Sequence, residues 1–308
     1  MRTRRLDAVL PLRRRDHARF TILDRSLRRN FRDLNRCWLV TTDAEYGDLE
    51  RMFTDDVYRV IPESAVIPEI RFYRGLYRLL YLTSVGARCV NGRFDATGWY
   101  VQQLVKLAIA DRIETDFYLT LDSDVICMKP VTHDDLIHEG RAITNVHEED
   151  VHPDWYDHAE RILGVARSGL THGITPAVLS RSAVIRLHGF LAGRIGFLAR
   201  TLASICPQGS RLRNLIRSWR SHLLRNTPWT EYSLYHTFLE NAGIFDRYHV
   251  RRGSDAIYDN HNSVWFEQDF CDAAIERFMR SNAFFLVIQS NTEIPPDAIW
   301  EKVAAYLK

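Results

Sequence analysis

The chain has 308 residues, 46% of them hydrophobic and 26% charged, with 41 Lys and Arg against 39 Asp and Glu and a net charge of +2. These values exclude a disordered tail, a collagen and a small disulfide scaffold, and the near balance of charge argues against a nucleic-acid partner. The five cysteines, Cys37, Cys89, Cys127, Cys206 and Cys271, show no CxxC or CxxH spacing. Neither a disulfide framework nor a zinc cluster is expected, and a reducing cytoplasm fits best. The opening Met1-Arg-Thr-Arg-Arg-Leu has charge but no apolar stretch or cleavage site of a secretory signal. Apolar runs such as Ala283 to Ile288 fall well short of the roughly 20 residues of a membrane span.

In chain order, Leu6 to Leu12 reads as a buried strand ending at a turn. Asp16 to Phe31 carries Phe20, Leu23, Leu27 and Phe31 on one helical stripe. Cys37 to Thr41 is a second strand, Glu45 to Phe53 a short helix and Val57 to Ile61 a third strand. That alternation is the signature of a parallel sheet with crossover helices. Gly98 to Ile113 places Val101, Leu104, Val105, Ala108 and Ile109 on one helix face, and Phe117 to Leu121 is a strand that runs into Asp122. Thr171 to Leu179 reads as one strand. Thr227 to Glu240 reads as a helix with Thr227 as its N-cap and Pro228 in its first turn. Phe284 to Ile288 is a late strand. One domain over residues 1–308 is expected, with a half over 1–130, a second half over 131–308, and a helical insertion near 185–226.

The balanced total hides a polarised chain. Arg161 to Thr230 contains eleven Arg and no Asp or Glu. Within it, Leu187 to Leu202 and Arg211 to Leu224 each show an apolar stripe, the second with Arg211, Arg213, Arg217 and Arg220 off that stripe. Ordinary helix packing on the sheet accounts for this pattern. An amphipathic surface that meets anionic lipid heads accounts for it as well.

The sharpest feature is Phe117-Tyr-Leu-Thr-Leu-Asp-Ser-Asp-Val. Residues i and i+2 of a strand point the same way, so Asp122 and Asp124 are aimed at one place. Like charges repel there unless a cation intervenes, and hard carboxylate oxygens suit Mg2+ or Mn2+. Open parallel sheets bind ligands beyond the carboxyl ends of their strands. A surface turn with two solvated acids is the bland alternative. The motif also fits the nucleophile strand of haloacid-dehalogenase-like phosphatases. There, however, it opens the fold, whereas here three strands precede it and the downstream acid cluster is absent.

With these residues in place, the sequence resembles nucleotide-sugar glycosyltransferases of GT-A fold, similar to the glycogenin and bacterial galactosyltransferase group. It is closer still to a less-characterised bacterial glycosyltransferase-like family with a GWYxQQxxKL segment, matched here from Gly98 to Leu107. The resemblance implies an α/β, Rossmann-type mixed sheet flanked by helices. It also implies that Asp122 and Asp124 hold Mn2+ or Mg2+ on the diphosphate of a nucleoside-diphosphate sugar. Lys106, sixteen residues before Asp122, corresponds to a lysine that contacts the donor, with Gln103 beside it. Leu10, Pro11 and Leu12, at the end of the first strand, and Ser123 are expected at the donor. Thr171-His-Gly173 stands where the family shapes its sugar pocket, with Thr171 replacing an Asn. Glu231 stands where the family places an Asp near the reacting carbon and is, with Asp124, the expected catalytic residue. The family's C-terminal metal-binding tail is missing, which leaves Gln289 for the diphosphate and His261 as candidate third ligand.

The expected activity is therefore metal-dependent sugar transfer to a glycan or glycolipid in polysaccharide biosynthesis, by a cytoplasmic protein in peripheral contact with an anionic membrane. A metal-dependent phosphoryl or nucleotidyl transferase and a non-catalytic sugar-binding protein are the other readings.

Overall fold

The computed structural model describes residues 4–81, 98–147, 152–166, 169–195, 197–224, 226 and 228–307. The strands among them are β1 (Leu6–Pro11), β2 (Leu34–Thr41), β3 (Tyr58–Pro62), β4 (Phe117–Thr120), β5 (Val125–Cys127), β6 (Ile137–His138), β7 (Arg141–His147), β8 (Thr171–His172), β9 (Ala177–Ser180), β10 (His249–Arg252) and β11 (Phe285–Val287). The protein is α/β. Its main sheet has the order β3-β2-β1-β4-β9, parallel except for β9, which runs antiparallel along β4. A second sheet joins β10, β7 and β6, with β8 beside β7, and β11 pairs with β5.

Strand β1 is the axis of the molecule, and all six of its residues are buried. Its alternation divides the core. Leu6, Ala8 and Leu10 pack with Phe20, Leu23 and Leu27 of the helix His17–Asn30. Val9 faces the opposite way, into a cluster with Leu104, Val105 and Leu107 of the helix Gly98–Ala108 and Leu234 and Phe238 of the helix Glu231–Asn241. Strands buried on both faces read as unbroken apolar runs, which is why β1, β2 and β4 stand out in the sequence.

From β1 the chain moves out to β2 and β3, then returns to place β4 on the other flank of β1. The strand order thus reverses at β1 and β4. Their register pairs Val9 with Thr120, so both carboxyl ends reach the same edge. A crevice forms where such a reversal splays the loops apart.

Four readings of the sequence change. The strand expected over Thr171 to Leu179 is two short pieces, β8 and β9, because Pro176 interrupts the run and lacks the N–H a ladder needs. The stripe from Leu187 to Leu202 is two helices, Arg181–Gly193 and Phe197–Ile205. That from Arg211 to Leu224 is also two, Arg211–Arg217 and Trp219–Leu224, broken at Ser218, whose backbone is extended. The late helix begins at Glu231, not Thr227. Thr230 is its N-cap, accepting from the Ser233 N–H while the Ser233 hydroxyl accepts from the Thr230 N–H. Thr227 and Cys89 lie outside the described residues. Cys37, Cys127 and Cys271 are free thiols. No described helix is long and apolar enough to cross a membrane.

Candidate active site

A cleft of about 320 Å3 opens at the reversal point. Its floor is Asp122, Ser123 and Asp124, which follow β4. One wall is Pro11, Arg13 and Arg15 beyond β1, another Trp99, Gln102 and Gln103 of the helix Gly98–Ala108. Ile174, Thr175, Thr230 and Tyr232 form a third, and Trp155, Trp265, Gln289 and Ser290 close it.

Behind the floor lies an ion cluster. Lys106 Nζ donates to Asp122 Oδ2 at 2.9 Å and to Thr175 Oγ1 at 2.9 Å, and it stands 3.0 Å from Glu231 Oε1. Both Lys106 and Glu231 are fully buried, whereas the Asp122 side chain remains 33% exposed. The Gln103 amide, with its nitrogen turned to Glu231, donates to the carboxylate oxygens Oε2 and Oε1. The Tyr232 hydroxyl lies 2.6 Å from Thr175 Oγ1 and 2.9 Å from Thr120 Oγ1, fixing a cleft-wall ring 5.7 Å from the ammonium.

Burial works against the Lys106 charge, but Asp122 and Glu231 outweigh it and hold the ammonium well above its ordinary pKa. Burial pushes the Glu231 carboxyl up, opposed by Lys106 and reinforced by Asp122. Asp124 is pushed up to about 6 by burial and then by the Asp122 charge, against the Ser290 N–H that donates to its Oδ2 at 3.1 Å. Arg19 carries the segment that delivers this N–H, donating to the carbonyls of Ile288 at 2.9 Å and Ile294 at 3.0 Å.

The structure brings together Pro11, Gln103, Asp122, Ser123, Asp124 and Gln289 on one cleft. The other expected residues fall elsewhere. Leu10 is sealed in the core, and Leu12 lines a narrow recess beside the cleft with Thr41, Thr42 and Glu63. Lys106 does not line the cleft, because its ammonium is already engaged behind Asp122. Neither does Glu231, whose carboxylate meets Lys106 and Gln103 and is closed to solvent. Both stand behind the floor, Lys106 paired with Asp122 and Glu231 with Lys106. Gly173 serves close packing: a Cβ there would lie 2.8 Å from Asn145 Cβ and 3.0 Å from Tyr258 Cε1. His261 is exposed in a turn, its N–H bonded to Asp259, and lines neither the cleft nor the chamber beside it. Among the described residues no three His, Cys, Asp or Glu side chains form a metal-holding group.

Arg15, Trp155, Tyr232 and Trp265 are cleft residues that the sequence reading did not single out. The run Arg13-Arg14-Arg15 carries a signal, since it directly follows a buried parallel strand, where ligands of open sheets bind. Trp155 and Trp265 carry none, because only the topology brings their segments to the cleft.

The donor set fits a hard divalent cation. Asp122 and Asp124 are two carboxylates on one cleft floor, and Asp124 is raised first by burial and then by the Asp122 charge. Mg2+ and Mn2+ are commonly held by one or two carboxylates, with substrate phosphates and water completing the shell.

A comparison with curated proteins gives no match. A family model, described as a family of unknown function (DUF6492), matches residues 3–308. The chain therefore belongs to the DUF6492 family.

Proposed function

We propose that the protein is a metal-dependent glycosyltransferase of GT-A type that takes a nucleoside-diphosphate sugar as donor. The observation that carries this reading is the Asp122-Ser123-Asp124 floor at the carboxyl end of β4, faced across the cleft by Arg13 and Arg15. Two acids for a cation and two arginines for phosphate oxygens make a site of mixed charge suited to a diphosphate. When bound, the metal would neutralise the diphosphate as it leaves.

The chain's own residues do the rest. Arg15 is largely exposed and Arg13 is only loosely paired, 3.9 Å from Glu45, so both are available to a phosphate. Lys106 and Glu231 lock Asp122 in one orientation, which spares the site reorganisation when charge develops. Tyr232 and Thr175, bonded to each other, form a fixed wall against water. The resemblance to GT-A enzymes supplies the sugar in this reading.

Calorimetry with UDP and GDP, with Mn2+ and then with excess chelator, tests it. Binding should require the metal and be lost in Asp122→Asn/Asp124→Asn. Equal affinity with and without chelator would sink the reading.

A further inference from the structure

We propose that the chamber adjoining the cleft is a saccharide site that takes an uncharged sugar. Its role as the acceptor site rests on the transferase reading above, but its affinity for sugar does not. The chamber has a volume of about 440 Å3, within the usual size of small-ligand pockets, and shares Trp155, Tyr232, Trp265 and Gln289 with the cleft. A ligand seated there lies next to whatever occupies the carboxylate floor.

The lining separates sharply by charge. The cleft presents Arg13, Arg15, Asp16, Asp122 and Asp124. Not one described lining residue of the chamber is Asp, Glu, Lys or Arg. A charged ligand group would leave water there without an Asp, Glu, Lys or Arg partner among the described lining residues, whose titratable rings are His147, His152 and His172. The walls are instead aromatic rings with side-chain amides between them.

The rings are held ready. Trp265 donates its Nε1–H to the Asn260 carbonyl at 2.7 Å, which leaves the indole face free of that duty. Trp155 is braced by the His152 ring, stacked at 4.0 Å between centroids. Phe266 stands 64% exposed at the rim, an apolar ring held in water with no core to join. A pyranose has apolar C–H faces and a hydroxyl edge. Flat rings cover the first, and amides such as Gln289 and Asn291 pair with the second, leaving few polar groups unpaired on either side.

The test is ligand-observed NMR on the full chain without metal or nucleotide. The probes are maltose, lactose and cellobiose against glucose 6-phosphate and glucuronic acid, each repeated with UDP and Mn2+. At least one neutral disaccharide should bind and the anionic sugars should not. Trp265→Ala should abolish binding. Phe266→Ala, at an exposed site that cannot unfold the core, should weaken it at least tenfold. Anionic sugars binding as tightly, unchanged affinity in Phe266→Ala, or no neutral disaccharide binding in either condition would overturn the proposal. Sugar binding that persists while metal-dependent UDP and GDP binding is absent would remove the transferase reading and leave the chamber standing.

Discussion

Lys106 and Glu231 form an ion pair, 3.0 Å apart and closed to solvent, directly behind the aspartate that faces the cleft. Removing one member of a buried pair leaves an uncompensated charge, at a cost of about 3–5 kcal/mol. Lys106→Met should lose stability on that scale in urea denaturation. Adding Glu231→Gln should recover part of the loss, because an amide needs no counter-ion. Additive effects of the two substitutions would show that the pair is not coupled.

Gly173 offers a test of packing against ligand contact. In Gly173→Ala the new methyl meets Asn145 Cβ at 2.8 Å and Tyr258 at 3.0 Å. Overpacking of this kind typically costs about 1–3 kcal/mol. Thermal denaturation should show that loss, while metal-dependent nucleotide affinity per folded molecule stays within twofold of wild type.

Acid should weaken the fold through its buried histidines. His249 Nδ1 is 2.8 Å from Thr144 Oγ1 and Nε2 is 2.7 Å from the Tyr235 hydroxyl. Burial, then the charges of His172 and Arg251, push it down to about 3, and burial holds the neighbouring His236 well below its ordinary value. An unfolded histidine takes a proton near pH 6.5, whereas folded His249 does not. Its stabilising contribution is therefore present above about pH 6.5 and is lost progressively as pH falls toward 3, about 2 kcal/mol of it by pH 5. Asp124, raised to about 6, acts in the opposite direction between about pH 4 and 6, and Glu231, also raised, acts in the same sense as Asp124. Urea midpoints at pH 7.5 and 5 should differ less in His249→Gln than in wild type. An equal difference would locate the acid sensitivity elsewhere.

The acid-free segment ends in a tip where Ile205 is 76% exposed and Leu212 53% exposed, either side of a turn at Gly209. Arg220 is not part of a free basic face, since it lies over the Trp219 ring at 4.9 Å and 3.9 Å from Asp111. If the tip touches lipid, sedimentation with anionic vesicles at low salt should carry the wild type down. Ile205→Ser/Leu212→Ser should remain in solution. A wild type that ignores vesicles at low salt would exclude that contact.

Legibility in the sequence followed the range of the forces involved. The alternation of β1, β2, β3 and the intervening helices was readable because buried strand positions write themselves into short apolar runs. The breaks at Ser218 and between Gly193 and Phe197 were not, because an apolar stripe continues in register across a short interruption. Asp122 and Asp124 announced themselves as acids at the end of an apolar strand. Lys106 was expected at the donor through the resemblance, and the structure sets its ammonium behind Asp122. Its burial depends on Asp122, Thr175 and Glu231, which arrive from 16, 69 and 125 positions along the chain. Trp155 and Trp265 were invisible for the same reason, as only the convergence of the β7–β8 segment and the late loops brings them to the cleft.

The antiparallel β9 has a consequence for how the chain can be divided. It covers the open flank of β4 by pairing Phe117 with Ser180 and Thr120 with Ala177, while β11 pairs with β5 just past the acidic floor. Cutting after Pro130 would strip both partners at once. The fragment 1–130 would present β4 as a naked, apolar edge with unpaired N–H and C=O groups, a template for self-association. Lys106 would also lose Glu231 and Thr175. The half expected over 1–130, expressed alone, should therefore aggregate instead of folding.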